Sequence, residues 1–149
     1  MIRLETSLRT GINNNQLYEI PSQERLKDTL VRKRHKMATP RTAMSPLYNC
    51  HGFTFACHRT RIIESQEVQC ILRDDKWEEV ELGAVLPGDI VVYYGEDGDA
   101  NHSGIVVQTD SLKVPIICSK WGFSGEFIHQ LNDVPNLYGP TTIFYRCQL

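Results

Sequence analysis

The stretch Asp89-Ile90-Val91-Val92-Tyr93-Tyr94, answered after a polar turn by His102-Ser103-Gly104-Ile105-Val106-Val107, decides the fold of this chain. Both runs are strand-length and rich in β-branched and aromatic residues. Glu96-Asp97-Gly98-Asp99 between them is turn chemistry, so the two form an antiparallel hairpin entered through Pro87-Gly88. Downstream, Val114 to Ser119, Glu126 to His129 and Thr142 to Cys147 read as further strands, and Trp77 to Leu82 as an extended segment. Upstream, the spacing of Phe53, Ala56 and Cys57 predicts a helix from Cys50 to about Arg61. Val68, Ile71 and Leu72 predict a second, short helix ended by Asp74-Asp75. Ser22 reads as the N-cap of a helix from about Gln23 to Lys36, with Leu26, Leu30 and Val31 on one apolar face and Arg32 to Lys36 clustering charge in its last turn. Residues 1–21 read as a polar, frayed arm. Helices first and a meander of strands second is the α+β pattern: N-terminal helices packed on a small antiparallel sheet. The expected organisation is one compact body, with residues 1–46 an arm and basic helix and residues 47–149 the main domain.

Net charge is −2, which gives no global signal for nucleic acid or an anionic membrane. Residues 1–49 hold nine Lys/Arg against four Asp/Glu, and the remainder holds seven against fourteen. This basic arm either complements the acidic body or engages an anionic or protein partner. No run reaches the ~18 apolar residues needed for a membrane span. The N-terminus carries no signal-peptide pattern, and five cysteines without a Cys-x-x-Cys pair point to reduced thiols; the expectation is a cytoplasmic setting, with export only by a non-classical route.

The chemistry centres on Cys50. Cys57, Cys70, Cys118 and Cys147 sit in apolar runs and read as core filler. Cys50 follows a proline-bearing loop and a polar Asn49, opens a helix, and has Gly52 two residues on to allow close approach. A thiol at a helix start is biased towards thiolate. His102, at the start of a strand with Gly104 beyond it, is the candidate base. His51 and His58 each follow a cysteine, but the seven-residue spacing from Cys50 to Cys57 lies outside structural zinc patterns, and helical geometry points His51 away from Cys50. Neither metal nor cofactor is expected. In the segment Ser119-Lys120-Trp121-Gly122, Trp121 reads either as core or as a stacking wall for substrate, and Lys120 as a rim cation for a substrate carboxylate.

The order of a helix-borne cysteine, a Pro-Gly-Asp-Ile strand and His-Ser-Gly-Ile-Val-Val resembles the NlpC-type branch of the papain-like cysteine hydrolases, over roughly residues 47–121. The Cys50-to-His102 separation of 52 residues is similar to that family's. A closer likeness is to a bacterial group that shares Asn49 to Ala56, His102 to Val107, and the Ser119-to-Gly122, Glu126 and His129 pattern. The resemblance implies a papain-like fold and a thiol hydrolase that cleaves an amide bond in a cell-wall stem peptide or another peptide. Cys50 takes the nucleophile position and His102 the base position. A third polar residue orients the imidazole, with Ser119 the nearest candidate and His129 its rival; His129 otherwise joins Lys120 and Trp121 in binding substrate. The chain departs from the family in having Asn49-Cys50-His51-Gly52 where Asp-Cys-Ser-Gly is common. An acyl transferase using the same pair and a non-catalytic binding module on the same scaffold are the alternatives.

Overall fold

The computed structural model describes residues 1–148. Three helices, α1 (Ser22–Arg34), α2 (Cys50–Phe55) and α3 (Ser65–Asp74), accompany seven strands: β1 (Thr39–Pro40), β2 (Trp77–Val80), β3 (Ile90–Tyr94), β4 (Ala100–Thr109), β5 (Pro115–Lys120), β6 (Glu126–Gln130) and β7 (Thr141–Cys147). The strands form one sheet in the order β1-β6-β5-β4-β3-β7-β2, every neighbour antiparallel. The α+β class is therefore as expected. β3 to β6 are a meander of consecutive strands, and β7 returns to the free side of β3.

The alternation in β3 explains why the sheet is central. Ile90 and Val92 pack with Val68, Ile71 and Leu72 of α3, while Val91 and Tyr93 join Val106, Ile117, Trp121, Phe127 and Phe144 in a second cluster. Both faces are covered, so the strand reads as a continuous apolar run. Asp89 fixes its entry. The buried carboxylate accepts from the Leu86 backbone N–H and from Arg146 Nε and Nη2, each at 2.8 Å, which ties the Pro-Gly-Asp turn to β7.

Three local readings change. α1 buries no residue. Leu26 and Leu30 are exposed and only Val31 packs on the core, so the apolar face leaves two of its three members in solvent. The helix begins at Ser22, and Pro21 stands at its N-cap without a side-chain bond. α2 ends at Phe55 rather than near Arg61, because Cys57 and His58 both take positive φ (51° and 67°) and turn the chain back. The N-terminal arm is irregular but docked. Ile12 is buried, Thr6 Oγ1 donates to Asp74 Oδ2 at 2.8 Å, Thr60 Oγ1 donates to Asn14 Oδ1 at 2.7 Å, and Asn15 and Arg61 exchange backbone bonds at 3.0 and 2.9 Å. β1 was not anticipated; it pairs Thr39 and Pro40 with Ile128 and Phe127.

Candidate active site

The position of Cys50 is set by Asn49. In extended conformation at the N-cap of α2, its Oδ1 accepts from the Gly52 N–H (2.9 Å) and the Ile62 N–H (3.1 Å), while its Nδ2 donates to the Ile62 carbonyl (2.7 Å). One side chain thus starts the helix and pins the returning strand of chain. Gly52 completes the join: a Cβ there would collide with the Thr60 carbonyl oxygen. Close approach of chain to chain is what this glycine permits.

Cys50 is buried at 8% exposure, beside a shallow cleft of about 310 Å³ bounded by Asn49, His51, Ile63 to Ser65, and Asp99 to Asn101. Two imidazoles act on it. Burial pushes the thiol pKa up, but His51 and then His102 outweigh this and hold it well below the ordinary cysteine value. The expectation that His51 points away from Cys50 is overturned: it is the stronger of the two influences.

His51 is buried and fully engaged. Its Nε2 lies 3.0 Å from the Ala100 carbonyl, which can only accept, and its Nδ1 lies 2.8 Å from Ser103 Oγ. Thr54 Oγ1 donates to the Cys50 carbonyl (2.9 Å) and Ser103 Oγ donates to Thr54 Oγ1 (2.9 Å), which leaves the Ser103 oxygen as acceptor for an Nδ1 proton. This hydroxyl chain suits a doubly protonated ring. Burial lowers the His51 pKa, but the adjacent Cys50 charge and the Ala100 carbonyl raise it overall.

His102 is the opposite case. It is wholly buried, and neither ring nitrogen has a hydrogen-bond partner among the described residues. Burial lowers its pKa despite the pull of Cys50, so it is the neutral ring of the pair. A bulge precedes it: Tyr93 faces His102 and Tyr94 faces Ala100, so Asn101 is the extra residue. The ring is held by aromatics, stacked on Tyr138 at 3.8 Å and 6° and flanked by Tyr93 at 5.2 Å. Tyr138 belongs to a 3₁₀ turn at Asn136–Tyr138, far from Cys50 and His102 in sequence.

Neither proposed third residue reaches His102. Trp121 Nε1 donates to Ser119 Oγ (3.0 Å), Ser119 Oγ donates to His129 Nε2 (2.7 Å), and His129 Nδ1 donates to the Gln130 carbonyl (2.7 Å). The single hydroxyl proton of Ser119 is used on His129, so Ser119 orients that ring instead. His129 is buried in its neutral form, its pKa pushed down to about 4 mainly by burial. Gly104 serves the same packing: a Cβ would lie 2.7 Å from Ile117 Cγ2 and 2.9 Å from Ser119 Cβ, so the glycine makes room for β5 rather than leaving open space by the site.

Lys120 is not at a rim. It is fully buried, donating to the carbonyls of Ser45 (2.9 Å) and Gly122 (2.6 Å), with its Nζ 4.9 Å from the centre of the Tyr48 ring. Burial brings its pKa down to about 8, against the opposing charges of Cys50 and Glu126. Trp121 is a core residue stacked on Phe127 at 4.1 Å, and it also borders an open groove of about 630 Å³ between α1, the Trp121–Ser124 turn and Tyr138. No cluster of three or more His, Cys, Asp or Glu side chains suited to a metal occurs among the described residues. No helix among them is long and apolar enough to cross a membrane.

Comparison with known proteins returns no matching family model, no matching curated protein and no matching solved structure. The chemistry of the site therefore rests on its own residues. Two of those residues, His51 and Tyr138, escaped the sequence reading. His51 was visible as a neighbour of Cys50, but its direction depends on where β4 lies. Tyr138 had no local signal.

Proposed function

We propose that the protein is a thiol hydrolase acting on an amide bond, with Cys50 as nucleophile and His102 as proton carrier, on a scaffold of the papain-like, NlpC type. The observation that carries this reading is a buried thiol at the start of α2, held well below its ordinary pKa between two buried imidazoles. The imidazoles divide the work. His51, with both nitrogens engaged, supplies positive charge that stabilises the Cys50 thiolate as it forms. His102, with both nitrogens free, is the ring that can give and take a proton.

His102 takes the Cys50 thiol proton as Sγ bonds to the carbonyl carbon. The negative charge that develops on oxygen is met by the backbone N–H of Cys50. His102 carries a proton to the leaving nitrogen, the C–N bond breaks, and a thioester remains. Water then attacks that thioester and gives a proton to His102; the C–S bond breaks, the carboxylic acid leaves, and His102 returns the proton to Sγ. Acyl transfer uses the same groups, with an amine or alcohol in place of water. The cell-wall stem peptide remains the leading substrate by resemblance, and other peptide amides share its chemistry.

Soluble wall peptides and a mixed peptide library, incubated with the protein and read by mass spectrometry, test this. Cleavage is expected from the natural chain and none from Cys50→Ala or His102→Asn. Turnover that survives Cys50→Ala, or a Cys50 thiol no more reactive towards iodoacetamide than exposed Cys57, rules the reading out.

A further inference from the structure

The cleft beside Cys50 carries acidic side chains of its own. Cys50 lines it together with two carboxylates from separate elements, Glu64 at the N-cap of α3 and Asp99 in the turn that leads into β4. Both residues are exposed. Among the described residues neither side chain makes a salt bridge or a hydrogen bond, unlike the carboxylates of Glu24, Asp28, Asp74 and Asp89. No lysine or arginine borders the cleft, and its one imidazole, His51, spends both nitrogens on Ala100 and Ser103. Asn101, the extra residue of the bulge, adds a neutral amide to the same rim.

The backbone holds the two carboxylates in place against the thiol. Ala100 is the clamp: its N–H donates to Ser65 Oγ at 2.9 Å, and its carbonyl accepts from His51 Nε2 at 3.0 Å. Glu64 precedes Ser65 and Asp99 precedes Ala100, so one residue fixes both positions relative to each other and to the ring next to Cys50. The Asp99 backbone is itself tied, its N–H donating to Asp97 Oδ1 and its carbonyl accepting from the Gly95 N–H, each at 3.0 Å. Its carboxylate is what remains for a ligand. A cleft bordered by two unpaired negative charges gathers cations at its mouth and turns anions away. The sign is opposite to the one expected from Lys120, which is enclosed elsewhere.

We propose that Glu64 and Asp99 receive an alkylammonium group of the substrate, so that the amide cleaved at Cys50 lies beside a free amino terminus or an amine-bearing side chain. This rests on the reading of Cys50 as the reactive thiol. An ammonium has three donors, and the cleft offers it two carboxylates and the Asn101 amide oxygen as acceptors.

Three chloromethyl ketones test the proposal: neutral N-acetyl-alanine, alanine with a free α-ammonium, and N-acetyl-lysine with a side-chain ammonium. Each forms one bond from Sγ to the methylene carbon and releases chloride. Rates at Cys50 are read by peptide mapping of the whole chain near neutral pH, with exposed Cys57 as the reference that cancels intrinsic differences between reagents. The cationic-to-neutral ratio is expected to be higher at Cys50 than at Cys57 for at least one cationic reagent, and the one preferred identifies the amine as terminal or side-chain. Glu64→Gln and Asp99→Asn should each lower that ratio about twofold to fivefold, the size of an exposed charge pair, and leave the neutral rate nearly unchanged. Glu96→Gln removes the same charge from an exposed residue of the same turn that does not border the cleft, and should keep the preference. No preference for either cationic reagent, an unchanged ratio in the double variant, or an equal fall in Glu96→Gln overturns the ammonium site while leaving the thiol reading intact. A Cys50 that the neutral reagent alkylates no faster than Cys57 overturns the thiol reading and the proposal with it.

Discussion

The imidazole of His102 lies flat against the phenol of Tyr138, ring centres 3.8 Å apart and planes 6° from parallel. A catalytic histidine is ordinarily oriented by a hydrogen bond to its second nitrogen. Here neither nitrogen has a partner among the described residues, and the ring is set by stacking. The orienting contact is therefore a surface rather than a point, and a change of aromatic shape should matter more than loss of a hydroxyl.

Tyr138→Phe should leave the alkylation rate of Cys50 at pH 7 within about twofold, because the stacked face survives. Tyr138→Leu should slow it about threefold to tenfold, in line with the ~0.5–1.5 kcal/mol of an aromatic pair. Equal rates in the two variants would show that the stack does not position the ring.

His51 should prove as important to the thiolate as His102. Both rings lower the Cys50 pKa, His51 the more. In profiles of alkylation rate against pH, His51→Gln and His102→Gln should each move the midpoint up towards the ~8.5 of free cysteine, with the larger displacement from His51. Only His102→Gln should also abolish turnover. A His51 variant with an unmoved midpoint would contradict the arrangement.

Asn49 should be a stability residue as well as a placing one. Asn49→Ala removes the cap and both bonds to Ile62, and is expected to cost about 2 kcal/mol in urea unfolding. Asn49→Asp keeps the acceptors and loses only the Nδ2 donor, so its cost should be smaller, while its charge raises the Cys50 midpoint. Gly52→Ala, aimed at the Thr60 carbonyl, should be worse than either.

Acid should weaken the fold between about pH 6.5 and pH 4. His129 is held neutral, with its pKa near 4 against an ordinary 6.5. In that window the unfolded chain takes a proton that the folded chain refuses. The stability is complete above 6.5 and is lost as pH falls towards 4, up to about 3 kcal/mol. His102 acts in the same direction, and His51, whose pKa is raised, in the other. Urea midpoints measured across this range should fall with pH for the natural chain and fall less for His129→Gln.

The hairpin of β3 and β4 was legible because alternation and turn chemistry agree over Ile90 to Val107, and α3 because Val68, Ile71 and Leu72 fall on one face. α1 was legible as a helix but not in its packing: Leu26 and Leu30 have helical spacing, yet spacing cannot report whether a partner surface exists. The end of α2 was hidden because nothing in Ala56-Cys57-His58 announces left-handed backbone; the turn is imposed by the need to bring Thr60 to Gly52 and Ile62 to Asn49. Cys50 and His102 could be picked out locally. Their supports could not, since the Tyr138 stack and the Ser103 and Thr54 hydroxyl chain join residues distant in sequence.

Asn14 and Asn15 hold Thr60 and Arg61 from outside the sheet, through one side-chain bond and two backbone bonds. The first fifteen residues are thus a brace for the nucleophile's neighbourhood. A chain trimmed to residues 47–149 would keep every strand but β1, helices α2 and α3, and the side chains of Cys50, His51, His102 and Tyr138, and would still lose that brace. Its secondary structure and its thiol chemistry would part company, so spectroscopic evidence of folding alone would be a poor guide to whether such a fragment is competent.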